Sequence, residues 1–225
     1  GAQLEETDPA TMAPTAYIET TSQALAAPRF DHDPDFDYVE NLLLYSEQLD
    51  NSYYSRALIH DIEANIATAP DGTQTADKVI PDTTSGSHYI RKTGLTSAVK
   101  TASIYAKANG YDSLVILHSG AVSNGSKFDL ATGTVETNYG DGVGSIEDVG
   151  DGWYRVSTYS PTAGTSFYVY QNNAGTYAGN DSDGIFLWGA QLEKASSVGQ
   201  YVVTTDQTRK SQGNVTTNLL TYSEM

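Results

Sequence analysis

Asp31, Asp33, Asp35 and Asp37 alternate through the stretch DHDPDFD. On an extended chain alternate residues project to one side. Carboxylate oxygens gathered this way are the ligands Ca2+ takes, so these four aspartates are the candidate metal site and calcium a possible accessory cofactor. The ordinary alternative is a solvated acidic loop. A second acidic stretch, NDSDG at Asn180 to Gly184, fails as an EF-hand. Placing Gly184 at the loop's sixth position puts Gly179 first and Ala190 last, and neither has a ligand side chain.

The second chemistry is saccharide recognition, which needs a flat aromatic ring beside polar groups. In WYRVSTY, period-two alternation places Trp153, Arg155, Ser157 and Tyr159 on one face. Trp153, Arg155 and Tyr159 are therefore the candidate glycan-binding residues. The competing reading packs Trp153 under its own glycine-rich turn. Trp188 belongs elsewhere. In IFLWGAQL it shares a face with Phe186, Ala190 and Leu192, which reads as core.

Nucleophilic catalysis finds no footing. The chain lacks a G-x-S-x-G elbow and an H-E-x-x-H motif, and His32, His60, His88 and His118 have no recognisable partners in sequence. GDGVG at Gly140 to Gly144 lacks the spacing of a dinucleotide loop. Paired carboxylates for glycoside hydrolysis remain an alternative among so many acids, but the expectation is a protein that is not an enzyme.

The elements that must position these residues are strands. Ser103 to Ala108 and Phe167 to Gln171 alternate, with Phe167 and Val169 on one face and Tyr168 and Tyr170 on the other. SLVILHS at Ser113 to Ser119 is continuously apolar, as a central strand would be. Turn signals separate these runs: APDGT, ATGT, YGDGVG, VGDGW and NDSDG. LIHDIEANI, Leu58 to Ile66, fits a helix or a strand. The fold expected is all-β, a jelly-roll-like antiparallel β-sandwich. Of 225 residues, 12 are Lys or Arg and 28 Asp or Glu, giving a net charge of −16. That charge repels phosphate backbones, so no nucleic-acid partner is expected. No apolar run is long enough to span a bilayer as a helix, and no membrane insertion is expected.

The chain also repeats itself. GAQLE at Gly1 to Glu5 returns at Gly189 to Glu193. NLLLYSEQ from Asn41 returns, with six of eight residues kept, as NLLTYSEM from Asn218. The order implies a fragment of a tandem repeat: residues 1–21 the tail of a preceding unit, 22–40 a linker, 41–205 a complete sandwich unit, 206–217 a linker, and 218–225 the start of a following unit. Residues 1–6 and 218–225 would then meet other copies of the protein, as a homo-oligomer by strand donation or as a head-to-tail filament.

Six ordered motifs carry a resemblance: APRFDHDP (Ala27 to Pro34), NLLLYSEQLDN (Asn41 to Asn51), TAPDGTQTADKVI (Thr68 to Ile80), FDLATGTV (Phe128 to Val135), IEDVGDGWYRVS (Ile146 to Ser157) and IFLWGAQLE (Ile185 to Glu193). Together they resemble the head-spike and tail-fibre domains of tailed bacteriophages, which look like carbohydrate-binding modules. Tyr53 and Tyr54 stand where that family commonly has a Trp. The resemblance implies a non-enzymatic building block of a virion or extracellular appendage, usually a homo-oligomer, with other virion proteins as neighbours. A host-glycan-binding adhesion module is the alternative, with cell-surface glycan as partner. A glycan-cleaving enzyme comes third.

Overall fold

The structure is a computed structural model, and it describes residues 38–95, 99–119 and 123–212. These residues form an all-β antiparallel sandwich of two six-stranded sheets. The first sheet has the order β10 (Val143–Gly150), β11 (Trp153–Gly164), β6 (Val99–Asn109), β13 (Gly184–Glu193), β4 (Ala76–Pro81), β3 (Ile59–Ala67). The second has the order β2 (Ser55–Ala57), β5 (Tyr89–Thr93), β12 (Ser166–Gln171), β7 (Ser113–Ser119), β8 (Ser123–Asp129), β9 (Thr134–Tyr139). A separate ladder pairs β1 (Tyr38–Asn41) with β14 (Arg209–Gln212), antiparallel, Tyr38 opposite Gln212.

The core follows from strand alternation. Leu114 and Ile116 of β7, Phe167 and Val169 of β12, and Ile90 of β5 point inward from the second sheet, all fully buried. Ile104 and Ala106 of β6, Val156 of β11, and Ile185 and Leu187 of β13 meet them from the first. Burying each large side chain is worth about 1.5–3 kcal/mol. β7 lies between β12 and β8, the central place its apolar run implies. Of the segment 58–66, open between helix and strand, residues 59–66 belong to β3. Its register slips between Ile59 and Asp61 and again between Glu63 and Ala67, and Asn65 has a φ of 56°.

β13 departs from expectation. Strict alternation puts Phe186, Trp188, Ala190 and Leu192 on the core face, but the register slips between Trp188 and Gln191, where Gly189 has a φ of 65°. Only glycine enters that region without strain, and the bulge it makes inverts the sides. Ile185 and Leu187 face the core before the bulge, and Ala190 and Leu192 after it. Phe186 and Trp188 therefore lie on the outer surface of the first sheet, where Trp188 is buried by other means.

The two recurring words meet inside the fold. Asn41 is fully buried; its Nδ2 donates to the carbonyls of Ala190 (3.0 Å) and Val202 (2.9 Å), and its Oδ1 accepts from the amides of Leu43 (3.1 Å) and Leu192 (3.2 Å). The Leu42 amide donates to the Leu192 carbonyl and the Ala190 amide to the Ser46 carbonyl, each at 2.9 Å. One side chain thus satisfies four buried main-chain groups that would otherwise be costly. The β1–β14 ladder draws Tyr38 to Glu40 and Arg209 to Gln212, read from sequence as parts of linkers, into paired structure.

Candidate functional site

Two outer surfaces compete, one on each sheet. On the first, β11 carries Trp153, Arg155 and Tyr159 along one side, as their alternation requires. Trp153 is not presented, however. It is 2 % exposed, and its indole N–H donates to the Thr68 carbonyl at 3.1 Å. Trp188 beside it is 3 % exposed and donates to Thr75 Oγ1 at 2.9 Å. The segment from Thr68 to Thr75 covers both rings, and Ala69 and Ala76 pack against them. Tyr105 and Tyr201 close over Trp188, with ring centroids 5.1 and 4.7 Å away. The expectation of Trp153 as an open platform is therefore corrected: the indole is spent on anchoring the loop from the β3 end to β4, not its own turn.

Arg155 and Tyr159 are half-buried. The Arg155 guanidinium sits 5.3 Å from the Tyr105 ring centroid, and its Nη2 donates to Ser103 Oγ at 3.4 Å. Glu193 is buried nearby, accepting from Gln191 Nε2 (2.8 Å) and from the Gly199 amide (3.1 and 3.0 Å). Burial raises its carboxyl above the usual carboxylate range, against those donors. Tyr201 hydrogen-bonds with Ser46 Oγ (2.7 Å) and donates to Glu47 Oε1 (3.1 Å), and burial raises its hydroxyl pKa strongly. Much of this surface is braced from within.

The second sheet displays what the first hides. On β12, Phe167 and Val169 turn inward, so Tyr168 and Tyr170 turn out. On β5, Ile90 turns inward, so Tyr89 and Arg91 turn out. The β5–β12 register sets Tyr89 directly opposite Tyr170, and Arg91 opposite Tyr168. All four side chains are half-exposed. The Tyr168 and Tyr170 rings are nearly parallel, 12° apart in plane, with centroids separated by 5.7 Å. Tyr89 lies 5.4 Å from Tyr168 and 5.0 Å from Tyr170. The Arg91 guanidinium carbon is 5.5 Å from the Tyr89 centroid and 5.8 Å from that of Tyr168. Burial, then its tyrosine neighbours, push the Tyr170 hydroxyl up to about 12. The hydrogen bond to Tyr168 raises the Arg91 pKa further.

Three half-exposed phenols and a guanidinium make a surface that is apolar across its rings and hydrogen-bonding at its rim. Such a surface can stack against a sugar ring and bond to its hydroxyls. Sequence reasoning passed over this cluster, although the outward alternation of Tyr168 and Tyr170 was visible. What sequence could not supply was the register that brings Tyr89 and Arg91 alongside.

Asp31, Asp33, Asp35 and Asp37, and the terminal segments 1–6 and 218–225, lie outside the described residues. Among the described residues no group of three or more His, Asp or Glu could hold a metal ion. His60 Nδ1 is 3.3 Å from Asp181 Oδ1, and both side chains are exposed. His88 is buried, with Nε2 3.0 Å from the Asp82 carbonyl, and its ring packs 4.4 Å from that of Tyr177. His118 is buried in β7, and neither of its ring nitrogens has a hydrogen-bond partner among the described residues. Burial pushes its pKa down to about 4. A scan against protein-family models finds no match to this chain, and a search of curated proteins finds none either.

Proposed function

We propose that this chain is a non-enzymatic building block of a virion or extracellular appendage whose sandwich acts as a saccharide-binding module. The observation that carries the binding half is the half-exposed trio Tyr89, Tyr168 and Tyr170 beside Arg91. Aromatic rings are ordinarily packed away, and here both tryptophans are, while three tyrosines on adjoining strands are left open.

The fold supports the reading. In the first sheet β4, β13, β6 and β11 are neighbours, and in the second β5, β12, β7 and β8. Each set interleaves early and late strands in the manner of a jelly roll built from two Greek keys, with β9 and β10 added as an edge strand to the second and the first sheet. The junction at Asn41 supports the repetitive-appendage half. The words that recur near the chain ends are the two that hydrogen-bond to each other inside the unit, so a head word in one copy and a tail word in another carry matching chemistry. The acids with raised pKa values, Glu47, Asp77 and Glu193, do not lie on the tyrosine surface, which favours binding over cleavage.

A glycan array probed with the full chain tests the binding half, with the Tyr168→Ala/Tyr170→Ala double variant as control. Bound saccharides should lose at least ten-fold in affinity with the double variant while its melting temperature stays close to that of the wild type. A folded chain that binds nothing on the array overturns the reading. Release of reducing sugar with time from a bound saccharide would replace it with an enzyme.

A further inference from the structure

We infer that the saccharide taken by the tyrosine surface is acidic, bearing carboxylate or sulfate, and that Arg91 reads its charge. This rests on the saccharide reading above and specifies the ligand class. The chain has a net charge of −16, yet one edge of the second sheet carries cations and no acid. β2, β5 and β12, consecutive in the second sheet, carry Arg56, Arg91 and Lys92 and not one Asp or Glu. At the corresponding edge of the first sheet, β3 and β4 carry Asp61, Glu63 and Asp77 against Lys78 alone.

These three cations make no ion pair among the described residues, a state shared by the other described cations except Lys127, paired with Glu136 at 2.7 Å, and Lys210, paired with Glu40 at 3.6 Å. Arg56 donates to the Asp50 carbonyl. Lys92 Nζ sits 4.1 Å from the Tyr53 ring centroid. Arg56 is level with the inward Ile90 and Lys92 with the inward Phe167; Arg91 alone of the three stands on the tyrosine surface. Its Nε donates to Ser55 Oγ at 3.2 Å and its Nη1 to Tyr168 OH at 3.4 Å. Those contacts fix the guanidinium plane and engage two of its five N–H donors, leaving the others for a ligand.

Acids outnumber cations more than two to one in this chain, so a carboxylate for Arg91 was readily available from the protein itself. The fold instead holds the guanidinium by neutral oxygens, beside three rings. The missing partner is an anion, and a sugar stacked on Tyr168 or Tyr170 brings it within reach. Guanidinium suits this task because its planar fork matches the two oxygens of a carboxylate or sulfate. The chain's overall charge repels an anion at long range. Screening limits that repulsion to about 8 Å at physiological salt, so Arg91 decides at contact.

The test is an array on which each carboxylated or sulfated saccharide is printed beside its neutral counterpart. It is probed with the full chain, with Arg91→Gln and with Arg91→Lys, and the best pair is then titrated by calorimetry. The wild-type signal should concentrate on acidic members, and which acidic members it favours separates carboxylate from sulfate. Arg91→Gln should weaken acidic ligands by about ten- to hundred-fold, the scale of one charged hydrogen bond, and leave no acidic preference. Arg91→Lys should recover part of it. Equal binding of neutral members by the wild type, or a preference that survives Arg91→Gln, overturns the acidic assignment and leaves the saccharide reading standing. No signal on any member overturns both, and the wild-type array decides this without relying on a variant's folding.

Discussion

The outer surfaces of the two sheets are built from similar residues and put them to opposite uses. On the first sheet Trp153 and Trp188 are folded under the Thr68–Thr75 segment, and the partly buried Tyr105 and Tyr201 pack against Trp188. On the second sheet Tyr89, Tyr168 and Tyr170 are half-exposed, with no such cover among the described residues. The strands differ, since a bulge at Gly189 interrupts β13 while β12 alternates throughout. The larger difference lies in what the chain does between strands. The segment joining β3 to β4 is long enough to lie back over its sheet and supplies indole acceptors at Thr68 and Thr75. The lesson is that an aromatic residue on an outward position is a binding candidate only after the loops have been placed.

Truncating the aromatics separates the two surfaces most strongly. Trp153→Ala and Trp188→Ala should each cost about 3–5 kcal/mol, the usual penalty for emptying a buried large aromatic site, read from urea denaturation. Tyr168→Ala should cost far less. If Trp153→Ala proved as mild as the tyrosine change, the cover over the first sheet would be a loose flap and the contrast would collapse.

Protonation should divide the sheets next. His118, in the second, titrates near 4 when folded against an ordinary value of 6.5. Between those values the unfolded chain holds more protons, so His118 removes stability as pH falls from 6.5 toward 4. Asp77, in the first sheet, is pushed up to about 6 by burial, although it accepts the amides of Leu49 and Asn65. Its folded pKa lies above the ordinary 3.8, so its contribution is complete below that value and is lost as pH rises through about 6. Each effect is about 3 kcal/mol at full extent, and they oppose one another. Relative to wild type, His118→Leu should gain stability between pH 6.5 and pH 4, and Asp77→Asn should lose it. Denaturation curves at both pH values are the measurement, and parallel shifts in the two variants would contradict the assignment.

How far this contrast could be read from sequence depends on the segment. SLVILHS is one continuous apolar run and FYVYQ follows one period without interruption, so the central place of β7 and the outward tyrosines of β12 were legible. IFLWGAQL was misread because its period changes partway, at a glycine whose φ no residue pattern announces. LIHDIEANI stayed ambiguous for the same reason: two slips in register spread Ile59, Ile62 and Ile66 to the three- and four-residue spacing of a helix. The saccharide candidates fared worst. Trp153, Arg155 and Tyr159 do share a side, but burial under a loop more than seventy residues earlier is not encoded in that stretch. The tyrosine surface joins residues from two strands nearly eighty positions apart.

Gly189→Ala tests the bulge that assigns Trp188 to the outer surface. An added Cβ would lie 2.9 Å from Tyr105 Cδ2 and 3.2 Å from Tyr201 Cε2, in a backbone with φ of 65°. A cost of about 1–3 kcal/mol is expected, with altered tryptophan fluorescence as the packing around Trp188 shifts. The smallest stability effect should come from Tyr170→Ala, at about 1 kcal/mol or less, the scale of cross-strand pairing. A much larger loss would make the tyrosines a structural layer like that of the first sheet and end the contrast.

The β1–β14 ladder has a mechanical consequence. Because Tyr38 lies opposite Gln212 and the strands run antiparallel, tension applied at those two residues peels the ladder open one pair at a time, from the outside in. The Glu40–Lys210 ion pair, at 3.6 Å, is reached third. Peeling ends at Asn41, whose side chain is held by four main-chain groups and transfers the load to β13. Seven residues freed, 38–40 and 209–212, at roughly 3.3 Å each give about 23 Å of slack before either six-stranded sheet bears force. The sandwich thus carries a short extensible tether at its own doorway, and under a pull it lengthens first while its displayed tyrosines stay in place.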